Sequence, residues 1–160
     1  MKTFFLLIAI LACGVAKSQN TLIGKWQPVY FSLDKIIVAD IKEDTVFISD
    51  TVNVMFKEDA DPEASKELMK LMGQIMLEKM KNVQQEFKSA GEYLEISTTK
   101  NTTKKGKYNF VESTQSLTIE LDGKINKYFV SYKNGRLLLT GQLESRKGKK
   151  GSMVIEYEKI

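Results

Sequence analysis

Two tight-turn dipeptides, Asp122-Gly123 and Asn134-Gly135, stand twelve residues apart in the C-terminal part of this chain. Asp-Gly and Asn-Gly accept the positive φ that a two-residue hairpin demands at both central positions. The run Leu117-Thr118-Ile119-Glu120-Leu121 ahead of the first turn has the two-residue period of a half-buried strand. Strands joined by such short turns can only run antiparallel to their neighbours, so a meander is predicted.

The same signal recurs along the chain. Residues 26–31, 35–41, 45–48 and 51–56 are rich in β-branched and aromatic side chains, broken by the polar pairs Asp34-Lys35, Glu43-Asp44 and Ser49-Asp50. Past Gly91, strands are expected over 92–98, 107–111, 116–121, 126–132, 136–140 and 152–159. Nine or ten short strands are too many for a simple α/β sandwich. They suit a curved sheet that closes on itself.

One segment breaks the pattern. Asp61 is placed as a helix N-cap, Pro62 at the first helical position and Glu63 in the first turn, where the helix dipole favours an anion. An amphipathic helix is predicted over residues 62–88. Met69, Met72, Met76, Met80, Val83 and Phe87 fall within an arc of about 80° at 3.6 residues per turn. Leu68 and Ile75 widen this face, Leu77 falls outside it, and Lys79 within it has to snorkel.

Residues 1–18 read as a secretory signal peptide: a basic start at Lys2, an unbroken apolar run over 4–12, then small residues before Gln19. Residues 19–160 form the expected single domain. The apolar run is well short of the roughly 18 residues that span a bilayer, and no later stretch approaches that length, so no membrane span is expected. Ile10-Leu11-Ala12-Cys13-Gly14 resembles a bacterial lipobox, while Ala16-Lys17-Ser18 fits ordinary cleavage before Gln19. Ordinary cleavage is favoured, because a cut before Cys13 leaves an unusually short leader. The protein is then periplasmic or secreted; the alternative is an outer-membrane lipoprotein anchored at Cys13. Cys13 is the only cysteine, so the mature chain has no disulfide and relies on its apolar core.

Charge and composition narrow the function. The sequence has no histidine, which removes Ser-His-Asp and Cys-His nucleophile systems, imidazole bases and His-ligated zinc. Loss of Lys2 and Lys17 takes two charges from the formal +4, too small a balance to argue for nucleic acid.

Leu22-Ile23-Gly24-Lys25-Trp26 resembles the Gly-x-Trp signature on the first strand of lipocalins and other calycin barrels. The successions Tyr108-Asn109-Phe110, Ser116-Leu117-Thr118-Ile119 and Arg136-Leu137-Leu138-Leu139-Thr140 are similar to small exported bacterial lipocalin-like proteins. The resemblance implies that Trp26 packs across the closed end of a barrel beneath a basic side chain from a late strand, a role for which Arg136 is the expected residue. The Thr-Asp-Tyr loop motif of the family is absent, and the helix is internal rather than C-terminal.

The Met stripe has the soft ligands that a Cu(I) ion prefers, but it continues into Val83 and Phe87, which ligate nothing; a deformable core face is the favoured reading. Asp59, Asp61 and Glu63 lack the spacing of a calcium loop and are read as capping and solvated residues. The clusters Lys100-Lys104-Lys105-Lys107 and Arg146-Lys147-Lys149-Lys150 are read as solvated loops. The carboxylate pairs Glu92/Glu95 and Glu156/Glu158 are read as surface residues rather than a catalytic dyad.

The sequence therefore points to a mainly β protein, a lipocalin-like antiparallel barrel of about 8–10 strands with one inserted helix, needing no cofactor or metal. It is expected to be a monomeric, non-catalytic carrier of a small apolar or amphipathic molecule. The candidate cavity walls are Met72, Met76, Tyr108, Phe110 and Tyr128, and the candidate closure residues are Gly24, Trp26 and Arg136. A filled barrel serving protein contacts or envelope structure is the alternative.

Overall fold

The computed structural model describes residues 21–47, 62–144 and 150–160. The predicted leader, Cys13, the strand at 51–56, the Asp61 cap with Asp59, and the basic residues Arg146, Lys147 and Lys149 lie outside the described residues. Among the described residues, ten strands and one α-helix follow in order: β1 (Gly24–Leu33), β2 (Ile36–Asp40), β3 (Thr45–Val46), α1 (Pro62–Met80), β4 (Val83–Phe87), β5 (Glu92–Ser97), β6 (Thr102–Val111), β7 (Ser116–Leu121), β8 (Lys124–Lys133), β9 (Arg136–Glu144) and β10 (Lys150–Lys159).

Strands β4 to β10 form an antiparallel meander, and β1 closes it by pairing with both β4 and β10. The result is a closed eight-stranded barrel, with β2 and β3 attached to β1 as a flap. The two hairpins expected from Asp-Gly and Asn-Gly have positive φ at both central residues: Asp122 and Gly123 at 51° and 73°, Asn134 and Gly135 at 52° and 77°. At Gly106 β6 leaves no room for a side chain, since a Cβ there would stand 2.2 Å from the Glu120 carbonyl oxygen.

β1 changes partner partway along one edge. Gly24, Lys25 and Trp26 pair with β4, whereas Tyr30 to Leu33 pair with β2. A bulge between Pro28 and Tyr30 marks the change. Proline has no N–H to lose there, and a bulge increases local twist, so β1, still paired with β10 as far as Leu33, can part from β4 and take β2 as its neighbour.

The helix ends at Met80, eight residues before the expected boundary, and Val83–Phe87 is strand β4. Val83 and Phe87 are four residues apart, a separation that fits both the 3.6-residue period of a helix and the two-residue period of a strand. The strand prevails because this segment forms ladders on both sides, with β1 and β5, and buries Phe87 completely. The orientation of α1 also differs from expectation. Leu77 packs against the core with Met72, Met76 and Met80, while Ile75 is exposed. Gly73 permits this contact: a Cβ there would stand 2.6 Å from Val46 Cγ1 and 3.2 Å from Val38 Cγ1. α1 thereby lies against the flap and directs Met76 and Met80 into one end of the barrel.

The other end is filled. Trp26, Phe87, Leu117, Val130 and Leu137 are buried there, with Phe87 packed edge-on against Tyr108 at 5.1 Å and 89°. Lys104, Lys105 and Lys107 lie on β6 rather than in a loop, where an exposed strand face tolerates alternating charge; Lys104 pairs with Asp122 at 2.6 Å.

Candidate functional site

Trp26 is buried on β1, and the cation over its ring is not the expected Arg136. Its ring is 2% exposed, its Nε1–H donates to the Leu22 carbonyl at 2.8 Å, and it packs against Tyr132 at 6.4 Å. Lys159 Nζ, from the last strand, stands 5.5 Å from the ring centroid. Gly24 makes room for that side chain: with φ at 137°, a Cβ there would stand 2.7 Å from Lys159 Cε. Arg136 lies instead over Tyr30, 4.9 Å from its centroid, and 3.4 Å from Glu156. The cause is strand alternation: Leu137 and Leu139 are the buried residues of β9, so Arg136 projects to the opposite side.

At the end beneath α1 the barrel interior holds a partly open cavity of about 210 Å³. Met76 and Met80 come from α1 and Val83 from β4, while Leu139, Met153 and Ile155 come from the late strands. Among these apolar walls stand five polar side chains: Gln85, Tyr93, Asn126, Tyr128 and Tyr157. Their inward positions follow from register, since Gln85 and Tyr93 alternate with outward residues on β4 and β5, and Asn126 and Tyr128 stand opposite Ile119 and Leu117.

Burial pushes the Tyr93, Tyr157 and Tyr128 phenols above the ordinary tyrosine value of 10.0, with the charge of Glu95 adding to each. All three are therefore neutral hydroxyls throughout the physiological range. The Gln85 amide faces the Tyr157 phenol as a hydrogen-bonding neighbour. Its Oε1 is nevertheless the one buried side-chain polar atom, among the described residues, without a hydrogen-bond partner. An acceptor left in this state costs about 1–3 kcal/mol relative to a satisfied one.

A second space adjoins the cavity. The β8–β9 ladder covers only the pairs from Phe129–Thr140 to Lys133–Arg136, so residues 124–128 and 141–144 face one another without ladder pairs. Along this seam runs a cleft of about 560 Å³ that shares Asn126, Tyr128 and Met153 with the interior cavity. Gly141 keeps it open, since a Cβ there would stand 2.8 Å from Met153 Cε. Ile125 and Phe129, 64% and 53% exposed, form its outer lip.

Of the residues singled out in the sequence, Met76 and Tyr128 line the cavity. Met72 and Phe110 pack against the core instead, and Tyr108 is engaged with Phe87 while its hydroxyl donates to the Lys88 carbonyl at 2.8 Å. Gln85 was hidden by its assignment to the helix, and Asn126, Tyr93 and Met153 carry no local signal that separates them from other strand residues. The carboxylates of the two suggested pairs go separate ways: Glu92 to Lys88 at 3.8 Å, Glu156 to Arg136, and Glu158 to Lys42 at 3.3 Å.

No family model matches this sequence, and no curated protein matches it. Among solved structures, the chain is similar to a DUF4847 family protein from Bacteroides vulgatus, at 14% identity, covering 86% of this chain and 94% of that one, with a TM-score of 0.44.

Proposed function

We propose that this chain is an exported, monomeric, non-catalytic binding protein that holds one small apolar or amphipathic molecule in the open half of its barrel. The observation that carries the reading is the cavity itself: a partly open, largely apolar space beneath α1 into which a few polar groups converge, one of them without a partner among the described residues. Ligand sites in barrels have this composition, with apolar walls supplying affinity and a small number of polar groups fixing orientation. Removal of apolar surface from water contributes about 25 cal/mol per Å² before the costs of association are met. Cleavage of the leader before Gln19 accords with an extracytoplasmic carrier, and retention of Cys13 as a lipidated terminus gives the anchored alternative.

The test is native mass spectrometry of the mature protein purified gently from its own envelope, set beside the same protein after denaturing extraction and refolding. A reproducible added mass in the native sample alone is expected. No added mass, together with no uptake of fatty acids, fatty alcohols or hydrophobic dyes, overturns the carrier reading. One observation favours a second reading, a protein-interaction module: Ile125 and Phe129 form an exposed apolar pair on the outer face of β8. Pull-down of a stoichiometric protein partner, lost on Ile125→Lys with Phe129→Lys, would establish it.

A further inference from the structure

The chemistry of the cavity walls also says what kind of head group the cavity accepts. This inference rests on the carrier reading and narrows it. Among the described residues, not one lining the cavity is a lysine, arginine, aspartate or glutamate. The polar groups present are three phenols, a carboxamide from Gln85 and a carboxamide from Asn126. Gln85 Oε1 can only accept a hydrogen bond, and no described residue donates to it.

From this lining we infer that the cavity selects a neutral amphipath whose polar end is a hydrogen-bond donor, an alcohol or primary amide, and discriminates against fatty-acid anions. A carboxylate placed against Gln85 would lose its hydration without meeting a cation, and Glu95, opposite Gln85 in the β4–β5 ladder, adds a like charge nearby. An ammonium group fares better beside Glu95, but that carboxylate does not line the cavity, so the cation would be desolvated without a direct ion pair. A hydroxyl brings the missing donor to Gln85 Oε1 and carries no charge. Its oxygen is then available to accept from a phenol, and its alkyl chain lies against Met76, Met80 and Met153, whose unbranched thioethers adapt to an irregular chain.

The experiment is a matched series of head groups on one alkyl chain, displacing a hydrophobic fluorescent probe from the refolded mature protein at neutral pH: decanol, methyl decanoate, decanoate and decylamine. Decanol is expected to bind at least about tenfold more tightly than decanoate, with the neutral ester, which lacks a donor, between them. Gln85→Leu is expected to abolish the advantage of decanol over the ester. Decanoate or decylamine binding as tightly as decanol overturns the preference for a neutral head group while leaving the carrier reading intact. Equal binding of decanol and ester overturns the donor requirement in the same way. Failure of every member and of the probe itself overturns the carrier reading as well. The comparison within the unmodified protein stands even where Gln85→Leu does not fold.

Discussion

Trp26→Ala tests whether the filled end of the barrel is organised around the indole. The ring is almost wholly buried and touches both the N-terminal segment and a strand remote in sequence. Truncation of a buried Trp to Ala costs about 3–5 kcal/mol, combining lost transfer free energy with the cavity that remains. Loss of the Nε1 donor also leaves the Leu22 carbonyl unpaired within the core, which places the expected cost in the upper part of that range. With a urea m-value of about 2 kcal/mol per M, the midpoint should fall by about 1.5–2.5 M at unchanged m. Trp26 is the only tryptophan, so its own fluorescence disappears with the substitution and unfolding must be followed by far-ultraviolet circular dichroism. Trp26→Phe provides the graded companion: it keeps an aromatic ring and loses the N–H, for a cost of about 1–2 kcal/mol. If Ala unfolds the protein outright, the Phe variant still reports the sign. A loss below about 1 kcal/mol for Trp26→Ala would refute the indole-centred core.

Two further outcomes probe other parts of the structure. Gly106→Ala should destabilise by about 1–3 kcal/mol, because the added methyl meets the Glu120 carbonyl, a backbone atom that cannot rotate away; an unchanged melting temperature would mean that β6 and β7 do not approach as closely as described. Alkaline pH should act through the buried phenols. Their folded-state pKa values are raised above 10.0, so their contribution is complete below about pH 10 and declines above it, as the unfolded chain releases protons that the folded chain retains. Each such phenol makes stability fall by about 1.4 kcal/mol per pH unit in that range. Tyrosinate absorbance should therefore rise in two stages, the second coincident with loss of circular dichroism; complete ionisation of all tyrosines near pH 10 in a still-folded protein would refute the burial of Tyr93 and Tyr157.

Local rules account for much of what could be read in advance. Residues 116–121 are a strand with the bounds that alternation assigns, and the Asp-Gly and Asn-Gly turns have the backbone signs their residues favour. Asp34 and Lys35 also adopt positive φ, at 44° and 71°, without a glycine. That turn is supported from outside by Asp34 Oδ1, which accepts from the Ser152 backbone N–H at 2.6 Å and from its hydroxyl at 3.1 Å. The sequence offers no warning of this contact, since its partners lie far apart along the chain.

By itself, then, the sequence determined the strand-rich composition, the principal hairpins, the single helix and the presence of a buried tryptophan, because φ preference and apolar period act over a few neighbouring residues. Tertiary structure decided the rest. Whether residues 83–87 continue the helix or become β4 depended on vacant ladder positions on β1 and β5, since a four-residue spacing satisfies both periods. Whether Arg136 or Lys159 covers Trp26 depended on which way each residue faces on its strand and on the pairing of β1 with β10, which brings Trp26 opposite Lys159. The cavity likewise exists only because the β1 bulge, the flap and Gly73 bring Met76 and Met80 over inward-facing Gln85 and Tyr128, a convergence of distant segments that no local pattern encodes.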